Sequence, residues 1–155
     1  MKNFLSQLME SNGFLIARIG SESHKRFVST IAQWDLGMYQ QAVLTTLVEL
    51  TKEGNTSQKQ LGDFVGIDPR NLVPVIDFLE ERSLVKRVAD PSDRRVSFIE
   101  LTAKGKSLAE KIRTAGQNLE KEMFACLSEK EKDSLHSLLL KLYQSIENKG
   151  GKDGA

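Results

Sequence analysis

Arg94 and Arg95 stand side by side at the tip of a stretch, residues 84–102, that reads LVKRVADPSDRRVSFIELT. The flanking segments read as two short strands, 84–89 (LVKRVA) and 96–101 (VSFIEL). In the second, Val96, Phe98 and Leu101 are apolar while Ser97 and Glu100 are polar. That is an imperfect period of two, with Ile99 out of phase. Between the strands, Asp90, Pro91, Ser92 and Asp93 supply turn chemistry, which reverses the chain. Two adjacent arginines at the end of a narrow ribbon are well placed to enter a nucleic-acid groove. Read as a solvated hairpin, the same charges would only keep the ribbon soluble. The hairpin alone does not choose between these readings; its neighbours do.

Length and composition narrow the class. A chain of 155 residues with 39% hydrophobic and 28% charged residues fits one soluble globular domain, long enough to bury a core. Disorder would bring fewer large apolar residues and a larger net charge. No apolar run reaches membrane-span length, and the opening MKNFLSQLMESNG lacks the apolar core of a signal peptide, so the expected location is the cytoplasm. The single cysteine, Cys126, permits no intrachain disulfide and fits a reducing compartment. A formal net charge of +1 does not advertise nucleic-acid binding. Its distribution is more informative. Residues 82–106 hold seven basic residues (Arg82, Lys86, Arg87, Arg94, Arg95, Lys104, Lys106) against three acids (Asp90, Asp93, Glu100). The ribbon and its flanks are a basic patch in a nearly neutral chain.

The elements that must position this ribbon follow from hydrophobic periodicity and end signals. Residues 1–34 read as helical throughout, with apolar clusters at Phe4, Leu5 and Leu8, at Phe14, Leu15, Ile16 and Ile19, and at Phe27, Val28 and Ile31. This exceeds one narrow stripe, as expected of a helix buried against more than one neighbour. Asp35, Leu36 and Gly37 break the pattern. A helix resumes over residues 38–52, with Leu44, Leu47, Val48 and Thr51 on one face. Ser57 and Gln60 form a capping box for a short helix that Gly66 closes. Asp68 and Pro69 are an N-cap and first residue for the next helix, which buries Leu72, Val75, Ile76 and Leu79 and presents Arg70, Asn71, Val73, Pro74 and Asp77 outward. Pro74, inside that helix, removes a backbone hydrogen bond and should kink or wedge its first turns. Two short helices across a glycine turn make a helix-turn-helix, and with the ribbon a winged helix. In such a module the second helix enters the major groove and the wing lies beside it. Thr102 then caps a helix to about residue 127, striped by Leu108, Ile112, Ala115, Leu119, Met123 and Cys126. Ser128 and Glu131 box the start of a last helix carrying Leu135, Leu138, Leu139, Leu142 and Ile146.

Residues 57–105, SQKQLGDFVGIDPRNLVPVIDFLEERSLVKRVADPSDRRVSFIELTAKG, resemble the MarR family of bacterial transcriptional regulators. The likeness lies in the D-P helix start, L-E-E-R-x-L-V, D-P-x-D-R-R and L-T-x-x-G. The approach WDLGMYQQAVLTTL sits where that family has the preceding helix. The resemblance implies a mainly α fold with a small β-wing, a winged helix-turn-helix flanked by N- and C-terminal dimerisation helices. Its parts would be an N-terminal dimerisation region (1–34), the DNA-binding module (35–102), C-terminal dimerisation helices (103–148) and a flexible tail (149–155). It further implies a homodimer on double-stranded DNA, a pseudo-palindromic operator with half-sites roughly 34–36 Å apart, and a small-molecule effector that releases a repressor. Carried over by position, Arg95 would enter the minor groove, Arg94 would contact phosphate, and Asp93 would brace the wing. Arg70, Asn71 and Val73 would face the bases, and Ser57 and Gln58 the backbone. Val73 and Pro74 depart from the polar residue and arginine many members carry there, which thins base readout. Asp77, Glu80 and Glu81 make this helix acidic, shifting the burden of phosphate attraction to the wing.

Other chemistry is sparse. His24, His136 and Cys126 form no metal-ligand spacing, so neither a metal nor another cofactor is expected. Cys126 on an apolar stripe reads as core. No nucleophile motif is present, and an enzyme is not expected. Trp34 and His24 are candidates to line an effector pocket in the joint between the terminal helices and the winged module, with plain core and solvated helix face as their alternatives. The rival from another class is a winged-helix protein–protein interaction module without operator binding; a third possibility is a DNA binder without sequence preference.

Overall fold

Ser11 opens the first long helix. In the computed structural model, which describes residues 7–52, 54–92 and 96–150, Ser11 is extended and its hydroxyl accepts a 3.3 Å hydrogen bond from the Phe14 amide. Helix α1 therefore spans Asn12–Ala32, preceded by a separate turn in which the Glu10 and Ser11 amides donate to the carbonyls of Gln7 and Leu8. The single helix expected over 1–34 is thus interrupted, because a capping serine with extended backbone ends whatever precedes it. Phe4 and Leu5 lie outside the described residues. At the other end Trp34 and Asp35 close a turn, Asp35 taking left-handed backbone at φ 54°.

Helix α2, Met38–Leu50, buries Val43, Leu44 and Leu47. Thr51, expected on this stripe, is exposed, and its hydroxyl donates back to the Leu47 carbonyl at the helix end. Helix α3, Gln58–Val65, starts from the capping box of Ser57 and Gln60 and ends at Gly66, whose φ of 68° is left-handed. Helix α4, Pro69–Glu81, follows the Asp68 cap and runs unbroken through Pro74, burying Leu72, Val75, Ile76 and Leu79 as the periodicity predicts.

Strands β1, Val85–Ala89, and β2, Ser97–Leu101, pair antiparallel, with Val85 opposite Leu101 and Arg87 opposite Ile99. Their inner face is Val85, Arg87, Ile99 and Leu101; Ile99 is only 2% exposed. Ile99 is thus a core residue and Phe98 faces the other way, the reverse of the phase read from Val96 and Phe98. The reason lies outside the ribbon. The Ile99 amide donates 2.9 Å to the Thr56 carbonyl, and Ser57 bridges Phe98, so the segment before α3 lies along the far side of β2.

Helix α5, Ala103–Met123, is capped by Thr102, whose Oγ1 accepts from the Gly105 amide at 3.0 Å and donates to the Ser83 carbonyl at 2.7 Å. Here the chain has no room for a side chain: a Cβ on Gly105 would lie 1.9 Å from the Leu84 carbonyl oxygen. Helix α6, Glu129–Gly150, opens with Ser128 donating to Glu131 Oε2 through its amide (2.8 Å) and hydroxyl (2.7 Å). It continues into the segment expected to be a flexible tail from residue 149. Cys126, expected in the core, is exposed in the turn between α5 and α6, because α5 ends three residues before it.

The chain divides into two compact units, Met1–Gln117 and Asn118–Ala155. The first holds the core: Ile31 and Leu36 with α2, α3 and α4, the inner face of the ribbon, and Ala109 and Ile112 of α5. The second carries α6, on which Leu138, Leu139, Leu142 and Ile146 remain 42–70% exposed.

Candidate nucleic-acid interface

Helix α4 is aimed by its ends. Asp68 Oδ1 accepts the Arg70 amide at 2.8 Å, and Pro69 pre-sets the first helical φ. With Leu72, Val75, Ile76 and Leu79 sealed in the core, the next residues in register must point out. Arg70, Asn71, Val73 and Pro74 are indeed all exposed on one outward face. Ser57 and Gln58 are half-buried at the start of α3, and the Ser57 hydroxyl is committed to the cap, accepting from the Gln60 amide at 3.2 Å and donating to Gln60 Oε1 at 2.8 Å.

Between α4 and the ribbon lies an ion-pair cluster that the linear sequence did not reveal. The Arg87 guanidinium donates to both Asp77 and Glu80, and the Arg87 amide donates to Glu80 Oε1 at 3.0 Å. Burial pulls the Arg87 pKa down, but the hydrogen bonds and charges of Asp77 and Glu80 outweigh it and hold it above the ordinary value. The acidity expected of α4 is therefore largely cancelled from the ribbon. Lys86 pairs with Glu100 at 2.7 Å and Arg82 with Asp35 at 3.2 Å. Much of the basic excess counted over residues 82–106 is spent inside the fold. Near the tip, Asp90 Oδ1 accepts from the Ser92 amide (2.7 Å) and hydroxyl (2.6 Å), and the Asp90 amide donates to the Val96 carbonyl at 3.0 Å. Asp90 thus shapes the base of the turn, a role its position before proline could have signalled. Asp93, Arg94 and Arg95 themselves lie outside the described residues.

Trp34 and His24 are not brought together. Trp34 lines a cavity of about 430 Å³ with Arg82, Lys104, Ser107, Leu108 and Lys111. His24 is exposed on α1, ~15 Å away along the helix axis at 1.5 Å per residue. A second cavity of about 560 Å³, lined by Val48, Glu49, Phe64, Glu110 and Arg113, had no sequence signal, since its walls come from three separate helices. No group of three or more His, Cys, Asp or Glu among the described residues could hold a metal ion. No helix among them is long and apolar enough to cross a membrane.

A capped helix with a polar, solvent-facing first turn, preceded by a short helix and followed by a two-stranded wing, defines a winged helix-turn-helix protein. The MarR family model matches residues 41–97, from within α2 to the start of β2. Solved structures extend the likeness over the whole fold. MepR from Staphylococcus aureus, a transcription regulator of the multidrug efflux pump MepA, superposes with a TM-score of 0.75 at 21% identity, covering 88% of this chain and 98% of that one. CouR from Rhodococcus jostii RHA1, solved bound to p-coumaroyl-CoA, gives 0.70 at 26% identity, over 87% and 93% of the two chains. A probable transcriptional regulator from Pseudomonas aeruginosa gives 0.65 at 28% identity, over 87% and 98%. Over residues 41–97 the chain is thus similar to the MarR family, and its fold is that of solved winged-helix transcriptional regulators.

Proposed function

We propose that the protein is a homodimeric transcriptional repressor of the cytoplasm that binds a pseudo-palindromic operator and leaves it when a small molecule binds. The observation that carries operator binding is the outward face of α4, where Arg70, Asn71 and Val73 stand clear of the core on a helix fixed at both ends. Arg70 and Asn71 can hydrogen-bond base edges, and Val73 can pack on a thymine methyl. Arg95 would enter the adjacent minor groove and Arg94 the phosphates, with Asp93 bracing the tip. Ser57 and Gln58 would meet the backbone at the start of α3, Gln58 making the contact because the Ser57 hydroxyl caps the helix.

Dimerisation is supported by apolar side chains that stay exposed among the described residues: Ile16 and Ile19 on α1, and Leu138, Leu142 and Ile146 on α6. Effector control is supported by the cavity beside Trp34, where the end of α4 meets α5, and by the ligand held in the related CouR structure. His24 lines neither cavity, so the effector role falls to Trp34 alone. Release requires only that the ligand prefer a helix spacing that does not match the operator.

One observation favours the rival reading of a protein-binding module: Arg82, Lys86 and Arg87, three of the seven basic residues of 82–106, are all paired within the chain. Gel shifts on DNA flanking the protein's own gene, at two salt concentrations, separate the two. Operator binding predicts a sequence-dependent, salt-sensitive shift that Arg95→Ala weakens about tenfold or more, a loss of at least ~1.4 kcal/mol, with the dimer intact. Affinity unchanged by Arg95→Ala at physiological salt would remove the wing from the interface.

A further inference from the structure

We propose, on the DNA-binding reading above, that α4 reads the C5-methyl group of a pyrimidine. Thymine and 5-methylcytosine are then accepted at one step of the operator half-site where cytosine is refused. Residues 70, 73, 74 and 77 recur at the i, i+3, i+4, i+7 spacing of one helical face, and all four are exposed. In order, that stripe reads Arg70, Val73, Pro74, Asp77. Its ends are polar and its middle is not. Neither middle side chain can donate or accept a hydrogen bond, so this part of the helix chooses a base only through apolar contact. In the major groove the group that offers such contact is the thymine C5-methyl, which 5-methylcytosine shares.

The acids nearest the stripe are already engaged. Asp68 Oδ1 accepts from the Arg70 amide at 2.8 Å, and Asp77 Oδ1 accepts from the Arg87 guanidinium on β1. Asp77 is the side chain of this stripe that could accept from a cytosine amino group, and the wing strand holds it. What would favour cytosine is drawn aside, while Val73, 42% exposed, stays open to a methyl group.

The helix itself does not explain these two residues. A β-branched valine and an interior proline both disfavour helix, and Pro74 brings no amide for the Arg70 carbonyl. Yet α4 runs unbroken from Pro69 to Glu81, held from its buried side by Leu72, Val75, Ile76 and Leu79. Their position suits contact with bases, because the N-terminal turns of a recognition helix are the part that meets base edges. Val73 lies ~4.5 Å beyond Arg70 along the axis, at 1.5 Å per residue. That is little more than one base-pair step of about 3.4 Å. The methyl-bearing base should therefore neighbour the base that Arg70 contacts.

The test starts from the duplex that the full-length protein enriches from a randomised pool, and reads Kd by fluorescence anisotropy with single bases replaced. Deoxyuridine in place of thymidine removes only the methyl group and keeps the base pair. At one position in each half-site it should weaken binding about fourfold, the effect of one buried methyl group, and about fifteenfold with both half-sites changed. Cytosine paired with guanine there should bind more weakly than thymine, and 5-methylcytosine should recover about fourfold over cytosine. In Val73→Ala, an exposed change to a better helix former, the deoxyuridine penalty and the 5-methylcytosine gain should both vanish. Arg95→Ala should instead weaken every duplex and keep both effects, which separates methyl reading from a general loss of affinity. Deoxyuridine tolerated at every position, 5-methylcytosine bound no better than cytosine, or a penalty undiminished in Val73→Ala overturns methyl reading and leaves operator binding in place. A pool from which no sequence is enriched refutes the operator reading itself, and methyl reading with it.

Discussion

Arginines that look alike in the sequence differ in what residue order can say of them. Arg94 and Arg95, at the turn of a ribbon, advertise a contact because nothing adjacent in sequence can neutralise both. Arg87 looks equally available, yet it is locked between Asp77 and Glu80, ten and seven residues earlier. That pairing became visible only when the register placed Arg87 on the inner face opposite Ile99. Alternation within β2 alone puts Ile99 out of phase, whereas its burial is decided by Thr56 and by α4 packed against the ribbon. Cys126 was misplaced for a similar reason, since a stripe was extended past the last residue of its helix. Gly105 shows the converse. It stood out only as the last letter of L-T-x-x-G, and the structure supplies the cause: a methyl group there would collide with the Leu84 carbonyl. Gly105→Ala should cost about 2–3 kcal/mol or more, because the obstructing atoms are the Leu84 backbone, which cannot rotate aside as a side chain can. Urea denaturation measures this directly; a change under 0.5 kcal/mol would mean that α5 can shift away from the wing.

Elements were legible wherever their ends carry side-chain chemistry. The Ser57–Gln60 box, the Gly66 stop, the Asp68–Pro69 start, the Thr102 cap and the Ser128–Glu131 box all appear where residue type alone puts them. The exception is the start of α1, where apolar recurrence on either side of Ser11 predicts continuous helix and the Ser11 cap interrupts it. The Ser128–Glu131 box also has a testable acid limit. Hydrogen bonds first from the Ser128 hydroxyl and then from its amide hold the Glu131 carboxyl below its ordinary value of 4.5. A lowered folded-state pKa means the contact stabilises α6 fully above pH 4.5, and that stability is lost as pH falls through the folded value. The hydrogen-exchange protection of residues 129–132, taken relative to the intrinsic rate at each pH, should therefore fall below pH 4.5 in the native chain. In Glu131→Gln, whose amide caps without titrating, the acid dependence should vanish. Identical pH profiles for the two proteins would remove the charge from the capping argument.

At the scale of the whole molecule, core and exposed apolar surface are unevenly divided among the described residues. Its core lies almost entirely in the winged module and the adjoining parts of α1 and α5, while α6 exposes Leu138, Leu142 and Ile146 and α1 exposes Ile16 and Ile19. The excess of apolar residues in the terminal helices is legible from sequence, and the proposed dimer rests on it. Leu142→Asp should shift the protein from dimer to monomer in sedimentation velocity and, with it, abolish high-affinity operator binding. A dimer that survives the substitution would move the interface off this face of α6. The most direct test of the central claim, a dimeric winged helix reading DNA through α4 and the wing, is DNase footprinting of the purified protein on its selected site at low and physiological salt. The account predicts one protected region with two half-sites about 10 base pairs apart, centre to centre, fading as salt rises and lost in Arg95→Ala. Protection that is absent, or equal on unrelated sequences, would contradict it.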